Sequence, residues 1–81
     1  DLSNVLEIAI PFAAKSSDVA FAIIAVDTLV PSSTDKSNVL IALAERGAIR
    51  TPALRDAYLR AVQGIPSSTD MRNALEALTK H

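Results

Sequence analysis

Val30-Pro31-Ser32-Ser33-Thr34-Asp35-Lys36-Ser37-Asn38-Val39-Leu40 is followed at Ile65-Pro66-Ser67-Ser68-Thr69-Asp70-Met71-Arg72-Asn73-Ala74-Leu75 by a near copy of itself. The second stretch lies 35 residues after the first. The chain opens on a third version, Asp1-Leu2-Ser3-Asn4-Val5-Leu6, 34 residues before Asp35. Self-similarity at a fixed interval of this size signals stacked units, each of which needs its neighbours to bury an apolar face.

The two full copies, Ser32 to Asp35 and Ser67 to Asp70, read as helix starts. Serine or threonine before an acidic residue three positions on has the spacing at which the hydroxyl accepts from a backbone N–H and the carboxylate complements the helix dipole. The proline ahead of it ends the preceding helix, because the residue before a proline is pushed out of the helical region. Working outward, the spacing predicts five helices over 2–14, 18–29, 34–46, 52–63 and 68–80. Val39, Leu40, Leu43 and Ala44 form one apolar stripe, and Leu54, Ala57, Tyr58, Ala61 and Val62 another. Gly47 closes the third helix, and Thr51 with Pro52 opens the fourth. Pro11 is expected to kink or shorten the first.

Val19 to Val26 and Leu6 to Ile10 are rich enough in β-branched residues to suit strands. The register with Asp35–Leu43 favours helices for both. The segment 19–26 is apolar nearly all round, so a helix there is expected to be covered on several sides. Tyr58 and Phe21 are expected in the core.

The expected fold is therefore all-α: five helices as stacked antiparallel pairs, in a right-handed, solenoid-like arrangement with a period of about 35 residues. It forms one domain over 1–81, divided into a half repeat at 1–14 and repeats at 15–48 and 49–81. The chain starts without methionine and its end helices lack a neighbour, which gives the expectation of a piece of a longer protein. A chain of 81 residues buries only about 60% of its unfolded surface, so its margin of stability is small.

Paired helices at this period resemble the HEAT, armadillo and tetratricopeptide class of α-solenoids. The Trp, Gly and Tyr positions of the tetratricopeptide pattern are absent, and so is a three-helix armadillo unit. More narrowly, Ile-Pro-Ser-Ser-Thr-Asp followed by Asn-Ala-Leu resembles short helical repeats of bacterial envelope and regulatory proteins. The resemblance implies an interaction surface.

Chemistry is excluded more readily than binding is identified. There is no cysteine, hence no disulfide or thiolate metal site. A serine nucleophile in the Ser-Ser-Thr-Asp clusters needs a base, and the only histidine is His81. A phosphate loop needs glycines that the clusters lack. No pair of carboxylates suggests acid–base work or a hard-metal cage. The longest apolar run is too short for a membrane span. The expectation is thus no enzyme, no cofactor and no metal.

Asn4, Asn38 and Asn73 occupy one slot in all three copies although asparagine is a poor interior helix former. They either line a surface that hydrogen-bonds a protein or peptide partner, or they close loops and tie repeats together. Arg46, Arg50, Arg55 and Arg60 fall in one stretch opposed only by Asp56, and Arg46 and Arg50 join the asparagines as candidate partner contacts. The leading expectation is a protein- or peptide-interaction scaffold. The alternatives are a self-associating or regulatory appendage of a larger protein, such as one of the bacterial envelope, and, more weakly, a binder of nucleic acid or an acidic partner. A formal charge of -1 exerts no global pull on polyanions, and a single-strand binder would want aromatic platforms beside the arginines.

Overall fold

The computed structural model describes residues 2–80, apart from the side chain of Ser3. Asp1, which opens the first copy, and His81 lie outside the described residues. Five helices follow one another: α1 (Leu2–Ala13), α2 (Ser17–Asp27), α3 (Ser33–Glu45), α4 (Pro52–Gln63) and α5 (Ser68–Lys80). No strand occurs among the described residues. The fold is all-α, and the β-branched stretches at 6–10 and 19–26 are both helical.

The local signals act as their chemistry requires. Ser16, Ser32 and Thr51 cap α2, α3 and α4, their side-chain oxygens accepting from the backbone N–H groups of Val19, Asp35 and Leu54. Ser67 accepts from Asp70 N in the same way at the start of α5. Each of these bonds satisfies one of the N–H groups that a helix start leaves without an intrahelical partner. At the other end of α3, Gly47 takes φ 70°. Its N–H donates to Ala44 O, and the N–H of Ala48 reaches back to Leu43 O at 3.0 Å. This is the paired closure of a Schellman turn. α1 runs through Pro11 and ends at Ala13.

One apolar core joins all five helices. Its centre is α3, where Val39, Leu40 and Leu43 are completely buried. Leu54, Tyr58 and Val62 of α4 and Ala74 of α5 close over it. Each fully buried leucine contributes roughly 1.5–3 kcal/mol relative to exposure. α1 packs on α2 and α3, α3 packs most extensively on α5, and α2 packs on α4. The pairing is uneven. α1 and α2 lie closely together, whereas α3 and α4, the same pair by sequence, meet at only a few residues.

Side chains tie helix ends distant in sequence together. Asp70 accepts hydrogen bonds from the hydroxyls of Ser33 (2.9 Å) and Thr34 (3.4 Å) on its carboxylate. Its backbone carbonyl accepts from the buried Ser37 hydroxyl at 2.9 Å. At the opposite ends of the helices, the Arg50 guanidinium donates to Ala14 O and to the Ser17 hydroxyl.

Candidate functional site

The three asparagines fall on helices that pack in succession, and all three are exposed. The side-chain amides of Asn38 and Asn73 make no hydrogen bond among the described residues, so at these two positions the amide ties no repeats together. Asn4 is engaged in an interaction within the chain. Lateral tying is the work of Asp70 with Ser33, Thr34 and Ser37, and of Arg50 with the loop between α1 and α2.

The arginines separate into two groups. Arg50 is committed to the loop between α1 and α2. Arg46, at the C-cap of α3, and Arg55 and Arg60, on α4, are exposed and without an ion pair among the described residues. The ion pair that does form, Arg72 with Glu76 on α5 at 3.2 Å, is solvent-exposed and contributes little to stability.

Two apolar surfaces emerge that the repeat motif did not mark. α2 is covered on one side only. Ala20, Ile23 and Ile24 are buried, while Phe21, Ala22 and Ala25, and Leu29 just beyond the helix, remain exposed, which corrects the expectation that Phe21 is core and that this helix is enclosed. Between α2 and α4 lies a groove of about 270 Å³ lined by Phe21, Ile24, Ala25, Thr28, Ala57, Arg60 and Ala61. Thr28 donates its hydroxyl proton to Ala25 O at 2.6 Å, and Arg60 is the one cationic side chain among the described residues that line the groove.

The second surface is on α1, where Val5, Ile8 and Phe12 are 61%, 73% and 65% exposed. Their spacing of three and four residues places them along one face. Val39 and Ala74, in the register of Val5, are fully buried. The sequence signal was present at Phe12, which stands where α3 has the exposed Arg46.

One buried group stands apart from these surfaces. Asp27, at the C-terminal end of α2, is 1% exposed, and its Oδ1 meets no hydrogen-bond donor among the described residues. Burial raises its pKa from 3.8 to about 7 against the opposing pull of Lys36. Burial also raises the Tyr58 phenol, and the negative charges of Asp27 and Glu45 add to the effect. Tyr58 keeps its proton and donates it to Ala74 O.

Among the described residues there is no group of three or more His, Cys, Asp or Glu side chains that could hold a metal ion, and no helix long and apolar enough to cross a membrane. Comparison with protein-family models, with curated proteins and with solved structures finds no match.

Proposed function

We propose that this chain is a non-catalytic scaffold for a protein or peptide partner, built as a short right-handed stack of helix pairs of the α-solenoid kind. The observation that carries the reading is the pair Asn38 and Asn73. Both are exposed, the side-chain amides of both lack a hydrogen bond among the described residues, and they sit in the same sequence slot on two helices packed against each other. A primary amide offers two donors and an acceptor, the set needed to pair with both groups of a peptide bond. Asparagine inside a helix has a cost in propensity, and no hydrogen bond within the chain offsets it here. The threefold sequence repeat and the succession α1–α3–α5 support the stacked architecture. On this reading the close packing of α1 on α2 and the loose meeting of α3 with α4 make the steps of the stack unequal.

The test is selection of binders from a random peptide library displayed on phage. Enriched peptides should lose about ten-fold in affinity to the Asn38→Ala, Asn73→Ala double variant, with its thermal melting unchanged. Peptides that bind the variant as tightly as the parent chain would overturn the reading. Loss of the fold in that variant would also count against it, since it would assign the amides a structural part.

A further inference from the structure

Independently of the asparagine face, we infer that the turn joining α2 to α3 is a proton-operated latch, held shut by the uncharged Asp27 side chain and released when that carboxyl ionises. Asp27 is the last residue of α2 and only 1% exposed, and its Oδ1 meets no hydrogen-bond donor among the described residues. Two hydroxyls that could serve it are committed elsewhere. Thr28, next along the chain, donates to Ala25 O, and Tyr58 of α4 donates to Ala74 O. A carboxylate in this place is opposed twice, by the loss of water and by the negative end of the helix dipole. The uncharged acid avoids most of both.

The turn is built to yield at this point. Thr28, Leu29 and Pro31 are exposed, and Val30 alone among 28–31 is buried. The N–H of Val30 donates to Asp27 O at 3.1 Å and that of Leu29 to Val26 O at 2.9 Å. α2 meets α3 far less extensively than it meets α1, so opening here gives up the cover of Val30 and leaves α1 on α2. Few charges act on the latch. From α3, Lys36 attracts the ionised carboxyl, and from α4 the Tyr58 phenol feels its charge while carrying none. Asp35 and Glu45 complete the charged groups of α3, and Glu7 of α1, Asp18 of α2 and Arg55, Asp56 and Arg60 of α4 are exposed. Burial holds the carboxyl at about 7 against 3.8 for the free side chain. The open form, with its carboxyl hydrated, therefore gains up to about ten-fold per pH unit between those values, and about a thousand-fold in all. Above them it gains nothing more, because the closed form is ionised too.

The experiment is hydrogen exchange of the whole chain, followed amide by amide by NMR from about pH 4 to about pH 8 at several low urea concentrations. Protection is corrected for the base catalysis of exchange itself. The Leu29 and Val30 amides are expected to lose protection as pH rises to about 7, to lose no more beyond it, and to depend little on urea. The Leu40 and Leu43 amides in the core of α3 should show the steep urea dependence of global unfolding. Asp27→Asn keeps the shape of the uncharged acid, and Asp27→Val removes the titrating group with an apolar side chain. Both should leave the protection of the turn amides flat with pH. Turn amides that share the urea dependence of the core, protection that does not change with pH in the parent chain, or an equal pH response in both Asp27 variants would each overturn the inference.

Discussion

The phenol of Tyr58 on α4 donates a 2.7 Å hydrogen bond to the main-chain carbonyl of Ala74 on α5, with both residues fully buried. A ring in the core and a hydroxyl on a neighbouring helix fix where α4 and α5 meet. Tyr58→Phe keeps the ring and removes the bond, and should cost about 1 kcal/mol in urea unfolding. Tyr58→Ala also opens a cavity and should cost about 3–5 kcal/mol.

Asp27 should make stability fall as pH rises. Its folded pKa of about 7 lies above the 3.8 of the free side chain, so the folded chain holds the proton more tightly than the unfolded one. The contribution is complete below about 3.8, is lost as pH climbs to about 7, and does not change further above that. Asp27→Asn should flatten that part of the profile. Asp27→Val introduces the residue type found 35 positions on at the buried Val62, and should stabilise the chain at pH 8 by about 1–3 kcal/mol. Urea midpoints measured across the range check both variants. A parent profile that rises from acid to neutral pH would contradict the burial of Asp27.

Ser33 and Asp70 should be energetically coupled. The hydroxyl-to-carboxylate bond joins the starts of two helices that resemble each other in sequence. A double-mutant cycle of Ser33→Ala and Asp70→Ala should return a coupling of about 0.5–1.5 kcal/mol. Ser37→Ala removes a buried donor to the same residue and should cost about 1 kcal/mol by itself.

The two glycines should answer differently to the same change. Gly47 sits at φ 70°, where a side chain is strained even though a Cβ there would meet nothing within 4 Å. Gly47→Ala should therefore cost about 1–2 kcal/mol. Gly64 has φ -84°, and its added Cβ would lie 3.4 Å from Ala61 O, an ordinary contact. Gly64→Ala should be neutral or stabilise by a few tenths of a kcal/mol. Thermal melts of the two variants are sufficient to separate these outcomes.

Much of the fold was legible because its signals are local. The bounds of α4 and α5 match the sequence reading, and those of the other three differ from it by one or two residues. Caps explain this success: Ser32, Thr51 and Ser67 act within three residues of themselves. The candidate site was less legible. The asparagines were found by their repeated slot, but Arg50 gave no hint that it would be occupied by Ala14 and Ser17, more than thirty residues away. Phe21 was misplaced because a helix apolar on every side does not say which side faces the core.

Five helices, their starts and stops, and the absence of cysteine and thiolate chemistry followed from the order of residues alone, since hydrogen bonds within a turn of chain and the chemistry of side chains do not depend on what lies across the core. Which stripe of α1 stays exposed, that Asp27 ends up buried with its Oδ1 unpartnered among the described residues, and that α2 and α4 leave a groove with Arg60 in it were decided by how the helices pack. Burial and the electrostatics that follow from it belong to neighbours distant in sequence, and no short window of residues contains them.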